Sequence, residues 1–360
     1  MGRSARVGDK KQPWPVTIAP ECRPAAVSCP TFTIRCQSFR NHSVSKVLIT
    51  GITSGQGQLV ARRLLQRPHP CEVVGVDMKP WEDRPRGVAM ALADVRKRKF
   101  EDVIRRERPD AIVHLGSVRH FKSHPALRHE VNVNGTRRLL DFAVTHGVKQ
   151  VVIVSSSYVY GALPENPYYM DEAFPLNSSR TYPEMRDLAE MDMLATAYLW
   201  RYPDMTITVL RPTNVLGRHV RTAIGRYLRA EYVPTVLGFN PMMQFLHEDD
   251  MAEAIVLAIE RDARGAFNVV GPGAVPLHTA IEEVGSTPLP LPEIAVRTTI
   301  QTLFRWGLYG FPPRAIDFAK YQCTLDGTRF REATGFTPRF SLADTFAAVR
   351  ASRTAASDRH

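Results

Sequence analysis

The feature that most restricts how this chain can fold is a repeated switch between two hydrophobic periods. Short continuous β-branched runs occur at 47–49, 73–76, 111–113, 151–154, 207–210 and 267–270. Between them lie amphipathic stretches near 58–67, 100–107, 127–146, 184–201 and 250–260. A strand that is apolar on both faces must be covered on both faces, which is the condition of a parallel sheet flanked by helices. The alternation predicts an α/β fold, a Rossmann-type doubly wound parallel sheet. Strand runs thin out after about residue 212, which predicts a smaller C-terminal lobe with late strands returning to the sheet.

Three parts are expected along the chain. Residues 1–44 contain Pro13, Pro15, Pro20, Pro24 and Pro30 and show no apolar periodicity, so they read as a disordered basic extension. Residues 45–350 form the folded unit, with 45–212 mainly nucleotide-binding, 213–350 mainly the substrate lobe, and 351–360 a frayed tail. Of the net charge of +11, the extension supplies five, from seven basic and two acidic residues. The mild surplus on the remainder suits a protein that binds phosphates. Nucleic acid is not the expected partner, because no basic run is interleaved with aromatics. The longest apolar runs, such as 254–259, are six residues, against the about 20 that a membrane span needs. Five cysteines, an odd number, make no disulfide framework and suit a reducing, cytoplasmic setting. Cys22, Cys29 and Cys36 are spaced by seven, unlike the close pairs of zinc sites, and no metal is expected.

The strongest local motif follows the first strand run: Thr50-Gly51-Ile52-Thr53-Ser54-Gly55-Gln56-Gly57. Glycines at such a turn let the backbone approach a pyrophosphate, whose charge then rests on a helix N-terminus. A helical pattern begins near Gln58, as that geometry requires. Asp77 ends the second run 20 residues after Gly57. A carboxylate there accepts the ribose hydroxyls and repels a 2′-phosphate, which favours NAD over NADP. Gly51, Ser54, Gly55, Gln56, Gly57 and Asp77 are the cofactor residues this pattern selects.

With these motifs in place the chain resembles the extended short-chain dehydrogenase/reductases, the NAD-dependent epimerase/dehydratase family, over roughly residues 46–348. Further motifs follow in the family order: Asp94-Val95, His114-Leu115-Gly116, Asn132-Val133-Asn134-Gly135-Thr136 and Ser155-Ser156-Ser157-Tyr158-Val159-Tyr160-Gly161. After these come Tyr182 with Arg186, then Leu210-Arg211-Pro212-Thr213-Asn214-Val215-Leu216-Gly217 and Phe245-Leu246-His247-Glu248-Asp249-Asp250. The resemblance implies that Asp94, beside Val95, bonds the adenine edge. It implies that Leu115, Gly116, Ser117 and Pro212 line the dinucleotide and that Asn132 braces the helix behind the active site. Thr213 and Asn214 would meet the substrate at the sheet's carboxyl edge.

The resemblance also implies the catalytic set. Tyr182 is the base, and Ser156 is the hydroxyl that holds the substrate oxygen, with Ser157 as its alternative. Tyr168 and Tyr169 are spare candidates for the base. Where the family carries a lysine four residues after the tyrosine, this chain has Arg186, which would also hold the nicotinamide ribose. A cation about 4 Å from a phenol is worth roughly 4 kcal/mol at an effective dielectric of about 20, so an arginine can meet the charge requirement. Its planar fork differs from an ammonium in shape. Pro183 places Tyr182 at or before a helix start. The arginine that nucleotide-diphosphate enzymes of the family carry before the strand at 242–245 is absent here, leaving Arg218, Arg221, Arg226 and Arg229 for a phosphate.

The implied activity is that of an NAD-dependent nucleotide-sugar epimerase, closest to the UDP-glucose 4-epimerase-like branch, working by transient hydride transfer to bound NAD and acting as a homodimer. Two alternatives stay open on the residues: another oxidoreductase of this fold acting on a carbonyl or alcohol, and an NAD(P)-binding protein with little catalysis.

Overall fold

The computed structural model describes residues 44–116, 124–181, 185–305 and 313–357. Residues 1–43 of the expected extension lie outside them. In chain order the strands are β1 (Lys46–Thr50), β2 (Glu72–Asp77), β3 (Val88–Leu92), β4 (Ala111–His114), β5 (Gln150–Val154) and β6 (Thr206–Pro212). They continue with β7 (Asn214–Leu216), β8 (Tyr232–Val236), β9 (Met242–His247), β10 (Gly265–Val269), β11 (Ala274–Pro276) and β12 (Thr287–Leu291). The helices of the first half are α1 (Gly55–Leu65), α2 (Arg98–Glu107), α3 (Pro125–His129), α4 (Thr136–Thr145), α5 (Ser178–Thr181) and α6 (Arg186–Arg201). Those of the second half are α7 (Ala223–Leu228), α8 (Glu248–Glu260), α9 (Leu277–Glu283), α10 (Glu293–Arg305), α11 (Thr328–Thr334) and α12 (Leu342–Ser357).

Among the described residues a seven-stranded sheet runs in the order β10-β6-β5-β4-β1-β2-β3, and each pairing in it is parallel. The alternation of side chains along a strand is visible in β1. Val47 and Ile49 enter one core with Val60 of α1 and Ile255 of α8. Leu48 enters the opposite core with Phe100 of α2, Leu139 of α4 and Met191 of α6. Both faces are covered, as the continuous apolar runs require. The chain reverses direction across the sheet between β1 and β4, so a crevice opens above their carboxyl ends, where such sheets hold ligands.

Strand β3 is absent from the apolar runs because it is an edge strand, with Val88 buried and Leu92 exposed. After β6 the chain builds a lobe from the sheet β11-β9-β7 and the parallel ladder β12-β8. Phe245 of β9 packs edge-on to Phe346 of α12 in the lobe's core. Then β10 returns beside β6, with Phe267 opposite Leu210. Helix α12 continues through Ser357, so the segment read as a frayed tail from 351 is helical for its first seven residues. No helix among the described residues is long and apolar enough to cross a membrane.

Candidate active site

The glycine turn is built by close backbone approach. Gly51 has φ +71°, and a Cβ there would lie 2.9 Å from the Leu115 carbonyl carbon at the end of β4. Ser54 caps α1: its hydroxyl donates to the Gly51 carbonyl at 2.7 Å and accepts from the Gly57 amide at 3.1 Å. The Asp77 carboxylate, at the end of β2, accepts from the Thr53 amide (3.1 Å) and hydroxyl (2.7 Å) and from the Met78 amide (2.7 Å). It therefore braces the turn, and a carboxylate's four lone-pair sites leave capacity for a further donor. Asp94 is held by its neighbour. Arg96 Nε lies 3.0 Å from both carboxylate oxygens and Nη2 2.6 Å from one, which holds the Asp94 carboxyl below its ordinary pKa. Val95 beside it is buried.

A cavity of about 310 Å³ begins at this turn, lined by Ser54, Gly55 and Gln56. Leu115, Pro212, Ser156, Ser157, Thr213 and Asn214 line it too. Ser156 follows β5 by two residues and caps the short turn 157–160, accepting from the Tyr158 amide at 3.2 Å. Tyr158 also lines the cavity, and its hydroxyl donates to Asn214 Oδ1 at 2.7 Å. Burial pushes that phenol pKa well up. Thr213 is fixed by the Val269 carbonyl, which accepts from its amide at 3.0 Å.

A buried polar chain leads from β1 and β4 to the cavity lining at Asn132 and Asp187. Thr50 Oγ1 and His114 Nδ1 are 2.7 Å apart, and His114 Nε2 lies 3.0 Å from Thr136 Oγ1. Thr136 donates to the Asn132 carbonyl at 2.6 Å, and the Asn132 amide donates to Asp187. Asn132 sits in a π-helical turn, Glu130–Gly135, a local widening that is frequent at functional sites. Asp187 and Arg128 are both buried and both line the cavity, with Arg128 Nε 3.8 Å from Asp187 Oδ1. Burial, the largest effect, raises the Asp187 carboxyl pKa, against the Asn132 amide and the Arg128 guanidinium.

Several expected site residues lie elsewhere. Arg186 is not among the residues lining the cavity: its side chain is 72% exposed and its Nε donates to Glu190 at 2.8 Å. Met185, Asp187 and Leu188 line the cavity instead. At about 100° per residue, position 186 falls on the opposite face of the helix from those three. Arg218 is exposed and outside the lining, whereas Arg221 and Arg226 are in it. Tyr168 and Tyr169 are exposed and away from the cavity. Gly116 follows β4 beside the Thr50 hydroxyl. Tyr182, Pro183 and Ser117 lie outside the described residues. Arg128, Asp187 and Arg96 were missed by the sequence reading, since their roles depend on which way a helix or loop turns.

The model of the family described as NAD dependent epimerase/dehydratase matches residues 47–270. A Mycobacterium tuberculosis protein, itself uncharacterised, is 30% identical over 312 residues, covering 83% of this chain and 82% of that relative. The UDP-glucose 4-epimerase of Mycolicibacterium smegmatis is 27% identical over 332 residues, covering 84% of this chain and 96% of that protein. The crystal structure of the Thermus thermophilus UDP-glucose 4-epimerase in complex with NAD superposes with a TM-score of 0.67 at 23% identity, over 86% of this chain and 99% of that one. At that identity the structural likeness speaks for the fold. The family match spans more than half of the chain, across the glycine turn and the cavity. This chain belongs to the NAD dependent epimerase/dehydratase family.

Proposed function

We propose that this protein binds NAD along the glycine turn and the carboxyl ends of β1 and β4, and acts on a nucleotide sugar as a UDP-glucose 4-epimerase-like enzyme. The observation that carries this reading is one cavity lined both by Ser54, Gly55 and Gln56 and by Ser156 and Ser157. The residues present fit the cofactor. The first turn of α1 holds no acidic side chain to repel a diphosphate, and its N-terminal amides face away from the helix. Asp77 stands at the strand end where ribose hydroxyls are recognised. When bound, NAD supplies a transient hydride acceptor for a sugar carbon. Ser156 holds the substrate hydroxyl, and Tyr182, assigned from its motif, takes the proton. Arg221 and Arg226 balance the substrate's phosphate charge. Met193 and Trp200, exposed on α6, offer apolar surface for a second copy of the chain.

One observation favours a second reading, a dinucleotide-binding protein with little turnover. Arg186, the cation expected beside the phenol, is paired with Glu190 at the surface. A phenol without a close cation keeps a pKa near 10 and is a poor base at neutral pH. One experiment separates the two. The purified protein is incubated with NAD, desalted and denatured, and the released nucleotide is measured by absorbance. UDP-galactose is then supplied, with UDP-glucose formation followed by a coupled dehydrogenase. Released NAD with conversion supports the epimerase, and released NAD without conversion supports the second reading. Protein that retains no NAD and converts nothing sinks both.

A further inference from the structure

Glu248, the first residue of α8, carries a carboxylate that is 2% exposed and does not line the cavity. Three consecutive backbone amides converge on it. Arg218 donates to Oε1 at 2.8 Å, His219 donates to Oε2 at 2.9 Å, and Val220 donates to Oε2 at 2.8 Å. His219 Nδ1 lies 2.8 Å from Oε1. Successive amides wrapped around an anion form a nest, the arrangement that loops use for phosphates. Here the anion comes from the protein itself, so these amides are already satisfied and the carboxylate's burial is compensated.

The loop so held is closely packed. A Cβ on Gly217 would lie 2.0 Å from Glu248 Cδ, and the Gly217 carbonyl accepts from Arg229 Nη2 at 2.7 Å. At its other side the loop presses on the glycine turn. A Cβ on Gly55 would lie 2.2 Å from the His219 carbonyl oxygen. Gln56 Nε2 donates to the Glu248 carbonyl at 3.3 Å, tying α1 to α8 at the same point. Val220 and Arg221 then form the cavity wall that faces Ser54, Gly55 and Gln56.

We propose that Glu248 is a positioning residue for the dinucleotide site: its buried carboxylate clamps the 217–220 loop against the N-terminus of α1 and so shapes the wall that the cofactor meets. The inference rests on the NAD reading above. Glu248 touches neither cofactor nor substrate and acts through the loop. Replacing it with glutamine keeps the size but turns one acceptor into a donor that faces amide donors.

The test uses the full chain, with hydrogen exchange at the amides of 218–220 and NAD affinity by calorimetry, at a temperature where circular dichroism shows each variant folded. Charge-assisted hydrogen bonds are worth enough that Glu248→Gln is expected to raise exchange at these amides and weaken NAD binding about tenfold or more. Glu248→Asp keeps the charge, is the milder variant should glutamine fail to fold, and is expected to lose about threefold. Faster exchange with NAD affinity unchanged in a folded variant would mean that the carboxylate serves stability alone, and would overturn the proposal. Unchanged exchange would overturn it too, since the clamp would then lie elsewhere. Wild-type protein that binds no NAD defeats the cofactor reading and this proposal together, which separates that failure from the others.

Discussion

Arg186 and Asp187 are adjacent in the chain and opposite in environment. The arginine is largely exposed and paired with Glu190, while the aspartate is buried in the cavity wall between the Asn132 amide and the Arg128 guanidinium. Among the described residues, Arg128, carried by α3, is the cation from this region that lines the cavity, and the motif position contributes a surface ion pair.

Substitution of the two arginines is expected to have unequal consequences. Exposed ion pairs contribute about 0–1 kcal/mol, so Arg186→Ala should shift the urea midpoint only slightly and leave NAD affinity as it was. Arg128→Met removes the cation beside a buried carboxylate and should cost about 3 kcal/mol. Denaturant unfolding of both variants checks this. A larger loss for Arg186→Ala than for Arg128→Met would contradict the placement.

On the proposed assignment of Tyr182 as the base, Tyr182→Phe is expected to lower turnover by about a hundredfold or more while NAD affinity stays within about twofold, because the role assigned to the phenol is proton transfer. Tyr158→Phe serves as the comparison. Its hydroxyl is buried and already donates to Asn214, and its raised pKa makes it no base at neutral pH. Steady-state kinetics on both variants decide the matter. Loss of turnover in Tyr158→Phe alone would move the proton transfer to the other phenol.

The Asp77 carboxylate braces Thr53 and, in the proposed function, accepts ribose hydroxyls. Asp77→Ala should weaken NAD binding about tenfold, since hydrogen bonds to a charged group are lost. Thr53→Val, which removes only the 2.7 Å bond from the hydroxyl, should lose less. Equal losses in calorimetry would show that the aspartate acts by bracing the turn alone.

The Asp94–Arg96 pair predicts a pH signature. Arg96 depresses the Asp94 carboxyl below its ordinary value of 3.8. A depressed folded-state pKa contributes stability that is present above the unfolded value and lost as pH falls through the folded one. The midpoint difference between wild type and Arg96→Met should therefore be full at neutral pH, begin to narrow as the pH drops below 3.8 and vanish below the lower folded-state value. A difference independent of pH in urea titrations would rule out the pair as its source.

What the sequence determined by itself is what local chemistry demands. Runs such as 47–49 and 151–154 are apolar on both faces, and only a sheet covered on both sides satisfies them, which is where β1 and β5 lie. The turn at Gly51 needs a positive φ and close backbone approach, and glycine marks that need in the residue itself. Strand β3 escaped because an edge strand need not be uniformly apolar. What only the tertiary structure decided is direction and partnership across long separations. The rotation of α6, set by packing of Met185 and Leu188 into the core, turns Arg186 outward and Asp187 inward. The three amides that Glu248 gathers lie 28 to 30 residues before it. Nothing in the residues near position 248 reports them, because a buried carboxylate's donors are chosen by how distant segments meet.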